Sequence, residues 1–329
     1  MDILNHVRLF APGSRTRVTV LIPSFNAAAT LGSAIASVLN QTLRELEVLV
    51  IDDASSDGTA AVVAALACRD RRVRSLRNGR NQGKAISMNR GIEAATGEWI
   101  AVLDADDRYA PERLEHLVGL AETECVDMAA DNQFLVDVAA DEVIGSAWPA
   151  GDGARRFDLE ALLAGSDAYA SFSLGMLKPV FRADFVRRVG LRYEPDARNG
   201  QDFFKLLQFF LDGGTGVLSD RPLYFYSQPF GSKSRQWSHA SRKRYDFSQV
   251  HAVNERFVAY ARGRVTPSQL ASLKRRSLEL KSLENFWLIR ESVSSGRMAG
   301  AMLHAVCHPY AAKLAMRKIV GKFQQRVAT

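Results

Sequence analysis

The sequence predicts an α/β fold built on a mostly parallel sheet flanked by helices, and three observations carry that expectation. Short runs rich in Val, Ile and Leu, "RVTVLIP", "LEVLVID" and "WIAVLD", alternate with stretches whose apolar residues recur at helical spacing. Such alternation means βαβ units, whose strands lie parallel and whose ligands bind at the carboxyl ends of the strands. Two acidic clusters, Asp52 with Asp53 and Asp104 with Asp106 and Asp107, fall at just such ends.

The elements follow in order. A first strand is expected over residues 18–22, stopped by Pro23 and the turn-formers after it. Leu31, Ile35, Val38 and Leu39 share one helical face, and Thr30 stands as the N-cap. A second strand over 46–51 ends in Asp52, Asp53 and the turn-rich "ASSDGT". "TAAVVAALACRD" reads as a helix, "RVRSLRN" as a short strand, and "GKAISMNRGIEAAT" as a helix ended by Gly97. "WIAVLD" is the next strand and "APERLEHLVGLAE" the next helix, after which "VDMAADNQFLVDV" and the Gly-rich "AWPAGDGARR" are β-like and irregular. "LGMLKPVFRADFVRRVG" reads as strand, turn and helix, "QDFFKLLQFFLDGG" as a strongly apolar helix, and "RPLYFYSQPFGSKSR" as a last strand running into a basic loop. Two basic helical patterns close the chain, "SQLASLKRRSLELKSLENFWLIRES" and "MAGAMLHAVCHPYAAKLAMRKIV".

The totals bound the function. The 329 residues, 47% hydrophobic and 24% charged, describe a globular protein with room for one large domain and an appendage, or for two domains. No stretch approaches the ~18 uninterrupted apolar residues of a membrane span. Residues 1–16 read as a cytosolic lead-in without a signal-peptide core, and three scattered cysteines fit reduced thiols. From Gly231 onward there are 19 Lys and Arg against 5 Asp and Glu, whereas the first 230 residues hold 24 against 31. An acidic front and a basic tail suggest two jobs.

Asp104, Asp106 and Asp107 repel one another, and charge crowded at a sheet end needs a partner. They form either a solvated turn or a set of hard oxygen ligands for a divalent cation. Other chemistries fail on the residues present. "NGRNQGKA" lacks the first Gly and the Ser or Thr of a phosphate-binding loop, and His304 and His308 have no accompanying acid for zinc. Phe203, Phe204, Phe209 and Phe210 are expected to be helix core rather than a sugar platform.

"VTVLIPSFNAAATLGSAIASVLNQT", "EVLVIDDASSDGT", "NQGKAISMNRGIEAATGEWIAVLDADD" and "NGQDFFKLL" occur in the order and spacing of glycosyltransferase family 2. Over residues 17–235 the chain therefore resembles an inverting nucleotide-sugar transferase of GT-A fold, and "ADN" through "MLKPVF" looks most like bacterial exopolysaccharide glucosyltransferases of the succinoglycan type. The resemblance implies that Asp104 and Asp106 form an Asp-x-Asp pair, with Asp106 on Mn²⁺ or Mg²⁺ and Asp104 toward the ribose. It implies that Asp53 accepts a hydrogen bond from a uracil base, and that Pro23, Ser24, Phe25 and Asn26 line the nucleotide pocket with Phe25 as the stacking ring. Asp202 stands at the position of the general base, and it is also a first-turn acid on an apolar helix. The pattern departs in three places. Gln201 replaces a Glu; Met88 stands where many relatives carry Arg, with Lys84 or Arg90 as substitutes; and Pro229 takes a frequent His position before Ser232 and Ser234, where Lys233 and Arg235 would close as a lid.

The expected organisation is a lead-in over 1–16, a GT-A domain over 17–235 and a basic helical extension over 236–329. The expected reaction moves glucose from a UDP-sugar to an oligosaccharide, polyprenyl-diphosphate-linked, in exopolysaccharide biosynthesis at the inner face of the plasma membrane. The extension, with Phe286 and Trp287, either lies on that anionic surface or is a solvated helical cap; it carries no nucleic-acid module. Two rivals stay open, a catalytically silent nucleotide- or glycan-binding partner and a sugar nucleotidyltransferase. The second needs a Gly-rich cationic loop after its first strand, which "IPSFNAAATL" lacks.

Overall fold

The structure, a computed structural model, describes residues 15–166, 173–197, 199–228 and 247–297. In chain order it contains β1 (Val18–Ser24), α1 (Leu31–Leu39), β2 (Leu46–Asp52), α2 (Thr59–Arg69), β3 (Val73–Arg77) and α3 (Lys84–Ala94). There follow β4 (Trp99–Val102), β5 (Arg108–Tyr109), α4 (Arg113–Thr123), β6 (Met128–Asp137), β7 (Glu142–Ser146), β8 (Ala154–Phe157) and α5 (Leu159–Ala164). After a 3₁₀ turn at Leu174–Met176 come β9 (Val180–Arg182), α6 (Ala183–Val189), α7 (Gln201–Leu211), β10 (Gly216–Gln228), α8 (Phe247–Ala261) and α9 (Pro267–Ser294). Two units divide the chain. The first gathers Met1–Asp158, Leu177–Tyr193 and Asp212–Gln236, and the second Leu159–Met176, Glu194–Leu211 and Trp237–Thr329. The second unit thus draws α5 and α7 from within the span 17–235.

The first unit holds one sheet in the order β3-β2-β1-β4-β9-β6-β10-β5, with β7 on β6 and β8 on β10. β1 to β4 are all parallel, and β9 runs antiparallel to both β4 and β6. β2 and β4 leave β1 on opposite sides, so the crevice of an open α/β sheet falls at the carboxyl ends of these three strands. Every residue of β2 is buried, as a strand covered by helices on both faces requires.

β1 continues through Pro23 instead of stopping at Ile22. The Ser24 carbonyl accepts from the Asp53 N–H on the β2 side, while Leu21 accepts from Leu103 on the other. Pro23 shares the Leu21 side, where β4 has already ended at Val102, so its missing donor takes nothing from the ladder. Thr30 precedes α1, but its side chain makes no cap bond to the helix. Gly97 is not a helix cap either, since α3 ends at Ala94. A Cβ on Gly97 would lie 2.5 Å from the Thr19 backbone nitrogen, so glycine is required for close approach to β1.

In the second unit, α7 buries Phe203, Phe204, Phe209 and Phe210, so the aromatic cluster is core as expected. Phe204 stacks on Phe257 of α8 at 5.4 Å. α9 opens with Pro267 at its first position and a reciprocal cap, the Thr266 N–H to Gln269 Oε1 at 3.0 Å and the Gln269 N–H to Thr266 Oγ at 3.3 Å. Leu273, Leu280, Leu283 and Phe286 of α9 are buried, as are Val250 and Val253 of α8, and Asn254 donates to Ser277 at 2.7 Å. Phe286 therefore packs inward, which corrects its expected place on a membrane-facing surface; the Trp287 side chain lies outside the described residues.

Candidate functional site

The site in the first unit is built on the ends of β1, β2 and β4. After β1 the chain turns through Asn26, which holds a left-handed φ of 51°, and after β2 through Ala54 at 60°. The two turns are laced together: the Asn26 N–H donates to Ser55 Oγ at 2.9 Å, and Asn26 Oδ1 accepts from the Ser56 N–H at 2.9 Å. Pro23 and Ser24 close β1, and Phe25, the next residue, is 43% exposed although it is aromatic.

Asp52 and Asp53 diverge. Asp52 accepts from the Ser55 N–H at 3.0 Å and from Arg77 at 2.7 Å, a turn lock beside β3. Asp53 is buried and holds the loop before α3, accepting from Asn78 at 2.6 Å, the Gln82 N–H at 2.9 Å and the Gly83 N–H at 2.7 Å. Gly83, at φ 89°, is the residue that lets that loop enter α3. Arg90 donates to Asn78 and so supports Asp53 rather than standing at the Asp-x-Asp pair. Met88 is fully buried on α3.

Three acids crowd the end of β4, and each has a different environment. Asp104 lies between two ammonium groups, Lys84 Nζ at 2.6 Å and Lys178 Nζ at 3.2 Å. Burial opposes its ionisation, but the charges of Lys178 and Lys84 outweigh burial and hold the carboxyl well below the usual range. Asp107 is buried and faces away. It accepts from Tyr224 Oη at 2.6 Å and from the Ser227 N–H at 2.8 Å, and burial with the Asp106 and Asp104 charges pushes it well up. Asp106 is exposed, and among the described residues no side chain donates a hydrogen bond to its carboxylate. The protein wall around it and the Asp104 charge raise its carboxyl.

Among the described residues no group of three or more His, Cys, Asp or Glu could hold a metal unaided. One open carboxylate suits Mg²⁺ or Mn²⁺ shared with substrate phosphates, the usual arrangement for these ions. The donor set fits that use and does not fit a closed protein cage.

Three residues were missed by sequence reasoning. Lys178 sits in "MLKPVF" before β9 and is almost wholly buried. Its carbonyl accepts from Arg113 Nη2 at 2.6 Å, and Arg113 is paired with Asp131 at 2.7 and 2.9 Å, both side chains buried. The one sequence signal was a lysine inside an apolar run. Asp202, on the first turn of α7, belongs to the second unit and is half-buried there. Pro229, Ser232, Lys233, Ser234 and Arg235, and the helix pattern with His304, Cys307 and His308, lie outside the described residues.

Comparison with known proteins agrees with the fold. The family described as Glycosyl transferase family 2 matches residues 19–172. The chain is 29% identical to the succinoglycan biosynthesis protein ExoO of Rhizobium meliloti over 315 residues, 94% of this chain and 87% of that protein. It is 34% identical to ExoU of the same organism over 192 residues, 57% of this chain and 55% of that protein. Among solved structures, S. aureus TarS 1-349 in complex with UDP-GlcNAc aligns with a TM-score of 0.61 at 14% identity, covering 87% of this chain and 89% of that one. The mannosyltransferase PcManGT from Pyrobaculum calidifontis, in complex with GDP-Man and Mn²⁺, aligns at 0.56 with 21% identity, covering 93% of this chain and 81% of that one. The fold is the α/β, GT-A arrangement of these neighbours.

Proposed function

Because this chain carries a glycosyl transferase family 2 domain and is a glycosyltransferase, we propose that it moves a hexose, glucose, from a UDP-sugar to a glycan acceptor with inversion at the anomeric carbon. The observation that carries the proposal is the division of labour at the end of β4, where Asp106 stands open beside an Asp104 already held by two lysines. Asp106 would hold Mn²⁺ or Mg²⁺ on the donor diphosphate, and the cation would supply Lewis-acid neutralisation of charge on the departing UDP. Asp104, ionised and fixed, is suited to accept from a ribose hydroxyl. Asp53 keeps the loop before α3 in place at the nucleotide end of the crevice, and Phe25 offers a ring for the base.

In the transfer, the acceptor hydroxyl oxygen attacks the anomeric carbon from the face opposite the diphosphate. The bond from that carbon to the phosphate oxygen breaks, its electron pair leaves with UDP, and the hydroxyl proton passes to the Asp202 carboxylate. An α-linked donor then gives a β-linked product. The acceptor we propose is a polyprenyl-diphosphate-linked oligosaccharide in exopolysaccharide assembly, supported by the two succinoglycan biosynthesis relatives.

Calorimetric titration of UDP into the protein with Mn²⁺ and then with EDTA, beside Asp106→Ala, tests the donor half. The expected result is binding that needs the metal and falls at least ~10-fold in the variant. Binding indifferent to both metal and Asp106 would overturn the cation role, and absence of UDP binding would overturn the uridine donor.

A further inference from the structure

The helix that carries Asp202 is gripped by α8, the first helix of the basic extension. Residues 194–197 and 199–200 lead into α7 as turns and bends, and Asp202 is the second residue of that helix. The lead-in closes on itself, with the Ala197 N–H on the Glu194 carbonyl at 3.2 Å and the Asp196 N–H on Glu194 Oε1 at 3.3 Å. Arg256 of α8 then bridges both carboxylates, Nη2 to Glu194 Oε1 and Nη1 to Asp196 Oδ2, each at 2.9 Å. The next residue, Phe257, stacks on Phe204 of α7 at 5.4 Å with the rings 14° apart. Two adjacent residues of α8 thus hold the chain before Asp202 and after it. α8 is itself anchored, since Val250 and Val253 are buried and Asn254 donates to Ser277 of α9 at 2.7 Å.

The Arg256 side chain is 53% exposed, and ion pairs so open to solvent contribute little to global stability. Their geometry is the more telling feature. Two nitrogens of one planar guanidinium reach two separate carboxylates, an arrangement that a lysine cannot copy. We propose that Arg256 is a positioning residue, whose bridge to Glu194 and Asp196 sets the first turn of α7 so that Asp202 meets the acceptor hydroxyl. The inference rests on the transferase reading above, with Asp202 as the base. A base must come within about 3 Å of the group it deprotonates, and a misplacement of about 1 Å can cost up to ~100-fold in rate. The proposed donor contacts lie in the first unit, whereas Glu194, Asp196 and Arg256 belong to the second. The bridge should therefore act on turnover and leave donor affinity alone, which makes the basic extension part of the catalytic apparatus.

The test uses the full chain with Arg256→Met, with Glu194→Gln and Asp196→Asn together, and with all three changes. Hydrogen exchange needs no substrate. Peptides covering 199–207 should exchange about 10-fold faster in each variant, and those covering β1 should be unchanged. Turnover is followed as UDP released from UDP-glucose in Mn²⁺, to water and to a polyprenyl-diphosphate-linked oligosaccharide. The expected kcat falls about 10-fold in Arg256→Met and in the carboxylate pair, with UDP affinity within about twofold and Tm within about 3 °C. The triple variant should lose no more than the worse of these, because the three groups act through one bridge. Wild-type kcat in Arg256→Met overturns the proposal, whatever the exchange shows. So do multiplicative losses, which mean independent roles, and a fall in UDP affinity equal to the fall in kcat, which means general damage. An acid limb of the kcat profile shifted to higher pH in Arg256→Met also overturns it, since Arg256 would then act by its charge on the base. If Arg256→Met does not fold, the carboxylate pair is judged by the same criteria. Asp202→Asn with wild-type turnover refutes the base and this proposal with it, whereas an inactive Asp202→Asn beside an unaffected Arg256→Met refutes this proposal alone. A wild type that releases no UDP from UDP-glucose refutes that donor, and the series is then read on other nucleoside-diphosphate hexoses. A wild type that turns over none of them refutes both.

Discussion

Asp106 and Asp107 are neighbours in sequence and are put to opposite uses. One is exposed, with no side-chain donor to its carboxylate among the described residues, while the other is turned in and tied to Tyr224 and Ser227 of β10. Ser227 Oγ also donates to the Asp106 carbonyl at 2.5 Å, which fixes the backbone that carries the outer acid. Asp202 is the residue on which the enzymatic reading depends. Replacing it with Asn keeps size and removes the proposed proton acceptor, so the expected outcome is unchanged UDP affinity with turnover from UDP-glucose down by at least ~100-fold. A protein that binds donor but shows no turnover even before substitution would support the silent-partner rival. The acids themselves were legible in "VIDDAS" and "LDADD", because a motif puts them within a few residues of one another. Lys178 was not: it reaches Asp104 across 74 positions, and its anchor Asp131 meets Arg113 only when β6 and α4 pack. Pairings of that length follow from the fold and leave no local pattern.

At the scale of elements, the parallel strands and their helices were readable because buried runs and helical spacing are local. The short edge pieces were not. β5 has two residues, β7 is almost wholly exposed, and neither offers a period to read. α8 was overlooked as well. β1 to β3 are held together by a buried carboxylate that the motifs do not mention. Glu47 on β2 accepts from Thr19 Oγ of β1 at 2.7 Å, from the Thr96 N–H at 3.0 Å and Oγ at 2.7 Å before β4, and from Arg74 of β3 at 2.7 Å. Burial alone would raise its carboxyl, but the hydrogen bonds from Thr19, Thr96 and Arg74 outweigh burial and lower it. A carboxyl lowered in the native state stabilises the fold above the unfolded value of ~4.3, and that contribution fades as pH falls below it toward the native value. Glu47→Gln is expected to reduce stability by about 1–3 kcal/mol at neutral pH. The difference from wild type should shrink in denaturant titrations repeated near pH 3–4. A difference that stays constant with pH would mean that shape, not charge, holds the strands.

At the scale of the whole molecule, charge separates along the chain, and the basic part needs an explanation that its fold alone does not supply. Buried Leu273, Leu280 and Phe286 commit one side of α9 to the interior of the second unit. Lys274, Leu278 and Lys281, spaced four and three apart, lie on another side and are exposed, Leu278 at 70%. Two cations around an exposed leucine suit the interface of an anionic bilayer, where each lysine contributes about 1 kcal/mol and the apolar side chain enters the headgroup layer. Among the described residues no helix is long and apolar enough to cross a membrane. Deleting α9 would expose the core of the second unit, so charge reversal is the cleaner test. Lys274→Glu with Lys281→Glu is expected to weaken sedimentation with phosphatidylglycerol vesicles at least ~10-fold at low salt, and 0.5 M salt should do the same to wild type as screening tightens to a few ångströms. Phosphatidylcholine vesicles should bind neither protein. If the reversed variant sediments like wild type, α9 is a solvated cap, and a lipid-linked acceptor would have to be captured by some other surface.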